Sequence, residues 1–277
     1  MTLLDGFKVA KIRNEQLKLQ IEEDTKKSLT VPKAAIILVG DDPASKIYVN
    51  SKLRDSKKVG ILSELVELPT DVSEEVLEEK ISELNNDNSV TGILLQLPLP
   101  KHLDDKKFIN LIDTKKDIDG FTLANQGLLF QSLDATHAAT PQGIINLLDH
   151  YNINVSGMNV VVIGRSQIVG LPIGKLLLDR NATVTTCHSR TKDLSLYTKT
   201  ADLIIMAVGI PKLLKADMVK EGVVVIDVGI NRVDGKLVGD VDFDEVSKLA
   251  SYITPVPRGV GPMTINALLE NIYKISK

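Results

Sequence analysis

Asn159-Val160-Val161-Val162-Ile163-Gly164-Arg165-Ser166-Gln167-Ile168-Val169-Gly170 is the stretch that decides the fold. A short β-prone apolar run enters a glycine turn, and the residues after Gly170 read as a helix. Strand, glycine turn and helix in that order open a dinucleotide-binding βαβ unit. The helix N-terminus offers unpaired N–H groups and a positive dipole end to a pyrophosphate. The spacing departs from G-x-G-x-x-G, because Ser166 holds the middle position and the last glycine comes one residue late. A tight strand-to-helix turn with no ligand is the competing reading.

Working outward, Ala182 to Cys187, Leu203 to Val208 and Val223 to Val228 are three more buried strands. Val233-Asp234-Gly235-Lys236 predicts a hairpin turn, since Asp-Gly tolerates positive φ. A last helix runs from about Met263 to Ile275, after a Pro- and Gly-rich loop. In the first half, Ala34 to Val39, Leu65 to Leu68 and Gly92 to Leu97 read as strands. One helix follows Asp42-Pro43, with Asp42 as cap and Pro43 in its first turn, and another follows Ser73. Strands alternating with helices predict an α/β protein with parallel sheets. The apolar periodicity weakens between Asp119 and Pro141, which divides the chain into an α/β domain over 1–120 and a Rossmann-like domain over 121–262.

The 277 residues fit two domains, and 43% hydrophobic with 25% charged residues is a globular balance. Trp is absent and aromatics are few, so Ile, Leu, Val and Ala must pack the cores. A net charge of −3 argues against a broad nucleic-acid surface. Cys187 is the only cysteine, which excludes an intrachain disulfide and suits a reducing compartment. The first residues lack a signal-peptide pattern, and no apolar run reaches the roughly 20 residues that span a bilayer. The expectation is a cytoplasmic protein with no membrane or nucleic-acid partner.

At the end of the second nucleotide-domain strand stand His188-Ser189-Arg190, where NAD enzymes usually carry an acidic residue. Ser189 can donate a hydrogen bond to a 2′-phosphate, and Arg165 and Arg190 can neutralise it, so NADP is the expected cofactor. For Arg190 a solvated surface charge is an equally good reading. In the first domain Tyr48 and Lys52 are four residues apart and share a helix face. By spacing alone, a packed Tyr and a solvated Lys suffice. Gln96 changes the weighing, because it ends an otherwise apolar strand where a buried amide needs partners. Carboxyl ends of parallel strands are where ligands bind, so Gln96 can meet the lysine or a substrate. Asp119 precedes Gly120 at a turn and can either accept hydrogen bonds from an amino-substituted heterocycle or cap the turn. The four histidines, His102, His137, His150 and His188, lack metal-ligand spacing, and no metal is expected.

Six further landmarks join the glycine turn, which continues through Leu171-Pro172. They are Tyr48-Val49-Asn50-Ser51-Lys52, Gly92 through Pro100, Lys116-Asp117-Ile118-Asp119-Gly120-Phe121, Thr140-Pro141-Gln142-Gly143, Val225 through Asn231, and Thr254 through Thr264. In that order they resemble the bifunctional methylenetetrahydrofolate dehydrogenase/cyclohydrolase family over almost the whole chain. The resemblance implies oxidation of 5,10-methylenetetrahydrofolate with NADP and hydrolysis of the methenyl product to 10-formyltetrahydrofolate, in one-carbon metabolism and purine biosynthesis. It implies that Lys52 moves the proton as water adds, that Gln96 tunes Lys52, and that Tyr48, Asp119 and Pro262 hold the folate. It implies that Gly164, Arg165, Ser166, Ser189 and Ile230 contact NADP. It also implies a folate-binding catalytic first domain, a cleft between the domains, a last helix (263–277) packed back on the first domain, and a homodimer. An already electrophilic iminium needs no metal.

The sequence departs from the family pattern at Arg258, where glycine is usual, and at Phe7, where lysine is common. Thr122-Leu123 stands for His-Pro and Ala138-Ala139 for Pro-Cys. If the loop needs positive φ at 258, Arg strains it; alternatively its charge meets an anionic ligand. Three other readings compete: a dehydrogenase without cyclohydrolase activity, a shikimate-dehydrogenase-like enzyme, and a catalytically silent nucleotide-binding regulator.

Overall fold

The buried apolar runs pair in parallel in two separate sheets. The structure, a computed structural model, describes residues 1–27 and 31–277. In chain order its elements begin with β1 (Thr2–Leu3), α1 (Gly6–Lys26), β2 (Lys33–Val39), α2 (Pro43–Val59) and β3 (Leu62–Leu68). Then come α3 (Glu74–Asn86), β4 (Gly92–Leu95), α4 (Asp105–Ile109), α5 (Leu123–Phe130), α6 (Ala139–His150), β5 (Asn159–Ile163) and α7 (Gly170–Leu178). The remainder are β6 (Thr183–Cys187), α8 (Ser195–Thr198), β7 (Leu203–Met206), β8 (Val224–Asp227), β9 (Asn231–Val233), β10 (Lys236–Val238), α9 (Phe243–Val246), β11 (Tyr252–Ile253) and α10 (Val260–Ile275). Among the described residues, no helix is long and apolar enough to cross a membrane.

One compact unit comprises Ile12–His137 and Leu268–Lys277. Its three-stranded parallel sheet has the order β3-β2-β4. Central β2 is buried from Ala34 to Val39, as a strand covered on both faces must be. Ile37, Leu77, Ile81, Ile93 and Phe108 are fully buried in its core. Burying such side chains contributes about 1.5–3 kcal/mol each. Residues 121–137, assigned above to the nucleotide domain, cluster with this unit instead. Asn125 explains it: its Nδ2 donates to Asp117 at 2.9 Å, and its Oδ1 accepts from Thr136 N at 3.2 Å. The chain end is held here by polar contacts. Arg13 makes a two-pronged pair with Glu270 at 2.9 and 3.0 Å, and Asn271 Nδ2 donates to Ile118 O and His137 O, each at 2.9 Å.

The other unit comprises Met1–Lys11 and Ala138–Ala267. Its six-stranded parallel sheet has the order β1-β11-β8-β7-β5-β6. The chain passes from β5 outward to β6 and then back to β7 on the other side, so the strand order reverses at β5. That reversal is the topological switch point at which open α/β sheets bind ligands. Residues 1–11, read above with the first domain, belong here because β1 pairs with β11, Thr2 with Tyr252 and Leu3 with Ile253. The Asp-Gly hairpin forms between β9 and β10, with Asp234 at φ 48° and Gly235 at φ 77°.

Candidate active site and nucleotide-binding loops

Helix α2 carries Tyr48 and Lys52, and its ends are fixed by local chemistry. Asp42 accepts from Ser45 N at 2.7 Å, and Pro43 follows it in the first turn. At the other end Gly60 takes φ 87°, and Ile61 N donates to Ser56 O at 3.0 Å. Between these stops, Lys52 Nζ donates to Gln96 Oε1 at 3.0 Å. Gln96 lies one residue beyond β4, where its N–H still donates to Ile37 O at 2.9 Å. Its Nε2 donates to Leu97 O at 2.7 Å, which leaves its carbonyl oxygen for the lysine. The half-buried amide therefore has partners on both sides.

Burial pushes the Lys52 ammonium below the usual lysine range, and the attraction of Asp119 opposes that without overcoming it. Burial also raises the Asp119 carboxyl from 3.8 to about 6; Lys52 pulls it down and Asp117 adds to the rise. Desolvation thus wins at both members of an oppositely charged pair. Tyr48, one turn before Lys52, is 46% exposed and so has a face available to a ligand.

Of the two readings of Asp119, the turn-capping role goes to its neighbour. Asp117 is buried and its carboxylate accepts from Gly120 N at 2.9 Å, Phe121 N at 3.3 Å and Thr122 N at 2.8 Å, besides Asn125. Asp117 was missed from sequence, although an aspartate three residues before a turn glycine is the expected signal. With the turn held by Asp117, the carboxylate of Asp119 is left for other work. Thr122, which stands for the family's His, accepts from Asn125 N at 3.3 Å and caps α5.

In the other unit the glycine turn is shaped by close approach. Gly164 has φ 126°, and a Cβ there would lie 2.3 Å from Ala207 O. A Cβ at Gly170 would lie 2.3 Å from Gly164 O. Ser166 Oγ accepts from Val169 N at 3.2 Å and Gly170 N at 3.3 Å, capping α7. Arg165, Ser166, Gln167 and Ile168 are exposed between a buried strand and the helix start. Gly164 N donates to Cys187 O at 2.9 Å, so the turn adjoins the carboxyl end of β6. Exposed Ser189 and Arg190 follow that strand, and Arg190 N donates to His188 Nδ1 at 3.2 Å. Ile230, beyond β8, is 49% exposed. This set fits a phosphorylated dinucleotide: an exposed hydroxyl at a helix start, with two arginines and no carboxylate where a 2′-phosphate would sit. Pro262 lies in the first turn of α10, among this unit's residues.

Arg258 takes φ 83°, the positive value that its usual glycine would accept without strain. Its guanidinium lies over the Phe7 ring, 4.8 Å from the centroid, and 4.0 Å from an Asp5 carboxylate oxygen. Phe7 N also donates to Arg258 O at 3.0 Å. The two departures from the family pattern touch each other.

Residues 4–119 match the tetrahydrofolate dehydrogenase/cyclohydrolase catalytic domain, and residues 138–277 match that family's NAD(P)-binding domain. The chain is 56% identical over 273 residues to the bifunctional protein FolD of Acholeplasma laidlawii, covering 99% of this chain and 97% of that protein. The crystal structure of the bifunctional FolD methylenetetrahydrofolate dehydrogenase/cyclohydrolase from Campylobacter jejuni superposes with a TM-score of 0.98 at 50% identity, covering 100% and 98% of the two chains. The Trypanosoma brucei dehydrogenase-cyclohydrolase, solved with NADP and an inhibitor, gives 0.95 at 34% identity over 100% and 97%. From the matched domains, the full-length identity and the shared fold together, the chain belongs to the tetrahydrofolate dehydrogenase/cyclohydrolase family.

Proposed function

We propose that the protein oxidises 5,10-methylenetetrahydrofolate to 5,10-methenyltetrahydrofolate with NADP and hydrolyses that product to 10-formyltetrahydrofolate. The observation that carries the hydrolytic half is the Lys52–Gln96 bond at 3.0 Å on a desolvated lysine. Gly164, Arg165, Ser166, Ser189 and Ile230 would hold the dinucleotide. Bound NADP supplies the acceptor for the hydride that leaves the folate methylene carbon. The chain's own residues do the rest. Asp119 accepts from the amino-substituted folate ring, and Tyr48 packs against it. Lys52, with its pKa lowered, is available as the free amine at lower pH than an exposed lysine. It takes the proton from water as the oxygen bonds to the methenyl carbon and the iminium π pair moves onto nitrogen. It then returns a proton to N5 as the N5–C bond breaks and the carbon stays on N10 as the formyl group. Gln96, its amide fixed by Leu97 O, keeps the Lys52 nitrogen aimed at that water. A dehydrogenase lacking the hydrolytic step is disfavoured, because Tyr48, Lys52 and Gln96 are all present with Lys52 and Gln96 in contact.

We further infer a homodimer working in the cytoplasm. The sheet order supports the first part: among the described residues β3 pairs with β2 alone, and Leu62 on it is 56% exposed. The single cysteine, Cys187, free and buried, suits the second.

The deciding experiment supplies methylenetetrahydrofolate with NADP or NAD and follows reduced nucleotide and methenyl-folate separately, beside a Lys52→Met variant. Wild type is expected to reduce NADP in preference to NAD without accumulating methenyl-folate. The variant should accumulate it, with hydrolysis lowered at least about 100-fold, the scale of a lost general acid–base group. No reduction of either nucleotide by folded protein would sink the dehydrogenase reading.

A further inference from the structure

Val208 and Gly209 follow β7, and Val228 through Asn231 follow β8, at the carboxyl ends where a parallel sheet presents its ligand. Asp240, fully buried, reaches both loops. Its Oδ2 accepts from Val208 N at 2.8 Å and Gly209 N at 2.9 Å, while its Oδ1 accepts from Asn231 Nδ2 at 2.9 Å. Beside it lies Asp227, also buried, whose carboxylate accepts from Gly229 N at 3.0 Å, Asp240 N at 2.9 Å and Val241 N at 3.0 Å. Ile230 therefore has one neighbour tied to Asp227 and the other tied to Asp240.

The space for this pair is made by two glycines. A Cβ at Gly229 would lie 2.2 Å from Asp240 Oδ1, and one at Gly239 would lie 1.8 Å from Asp227 Oδ2. Two adjacent buried carboxylates are a costly way to fill a core, since apolar side chains of similar volume do so without desolvating charge. What an apolar core cannot do is gather amide donors from two strand-end loops onto one rigid group.

We propose that Asp240, backed by Asp227, is a positioning residue for the dehydrogenase reaction: it clamps the loops after β7 and β8 so that Ile230 is presented to the dinucleotide. The proposal rests on the reading that NADP binds at these strand ends with Ile230 among its contacts. Asparagine at 240 would keep one acceptor and turn an NH2 group toward N–H donors, which breaks the clamp at nearly constant volume. Asn231→Ala removes one arm and leaves both carboxylates in place.

The test measures the KM for NADP in methylenetetrahydrofolate oxidation and, on the same protein without nucleotide, the hydrolysis of methenyltetrahydrofolate. Asp240→Asn is expected to raise the NADP KM about tenfold or more, the scale of a lost charge-assisted bond. Asn231→Ala should raise it by a smaller factor, and both variants should hydrolyse methenyl-folate at the wild-type rate. Equal loss of both activities in the two variants would reduce Asp240 to a packing role and overturn the proposal, as would an NADP KM unchanged in both. Should Asp240→Asn fail to fold, Asn231→Ala decides by the same split. A wild type that oxidises no methylenetetrahydrofolate with NADP defeats the functional reading itself. A wild type that does so, beside indistinguishable variants, defeats the clamp alone.

Discussion

At Asp119, the proposed hold on folate and the stability of the fold pull in opposite directions. Its carboxyl titrates near 6 in the folded protein against 3.8 for a free carboxylate, chiefly because of burial. A folded-state pKa above the unfolded one means that the group's stabilising contribution is fully present below about 3.8. It is lost as the pH rises through about 6. Near pH 7.5 the protein therefore carries a buried charge that costs about 3 kcal/mol. Asp119→Asn should accordingly raise the melting temperature at pH 7.5 while lowering folate turnover, and the thermal gain should shrink toward pH 4. A variant no more stable than wild type at pH 7.5 would show that the carboxylate carries no such burden. Sequence raised Asp119 as a candidate but left its role open, because two aspartates two residues apart are equally able to cap the turn. Only the hydrogen bonds to Gly120, Phe121 and Thr122 assign that work to Asp117.

Between elements, the informative contact is that of the loop after β11 with the start of α1. Arg258 at positive φ costs about 1 kcal/mol relative to glycine, and an exposed cation–π contact with Phe7 returns about 0.5–1 kcal/mol. The two positions should consequently be coupled. In a double-mutant cycle of Phe7→Leu and Arg258→Gly, denaturant unfolding should give a coupling of about 0.5–1 kcal/mol, and strict additivity would dismiss the contact as incidental. The strands were readable because each is a short apolar run, and α2 because Asp42-Pro43 announces its start. Helix α1 was not read. Its buried positions Val9, Ala10, Leu17 and Ile21 leave a gap that Arg13 occupies, and Arg13 meets its partner Glu270 only in the folded chain. A periodicity broken by a charge whose partner lies at the far end of the sequence gives no local signal.

Across the whole molecule, sedimentation should report twice the 30.2 kDa of one chain if the homodimer inference holds, and substituting Leu62 with Lys on the open β3 edge should shift the equilibrium toward single chains. Monomer at micromolar concentration in the wild type would remove the dimer from the account. The two-unit plan was legible from strands alternating with helices, but its borders were not. Residues 1–11 join the second unit through a two-residue strand, and no periodicity can mark so short a pairing. That pairing has a temporal side. A ribosome delivers Thr2 and Leu3 long before their partners Tyr252 and Ile253, which lie 250 residues further along the chain. The edge of the larger sheet must then wait until Ile253 is made, whereas the strands of the smaller sheet, ending at Leu95, are complete well before that. A bulky fusion placed directly before Thr2 would therefore burden the late β1–β11 pairing at the edge of the larger sheet, and leave the strands of the smaller sheet untouched.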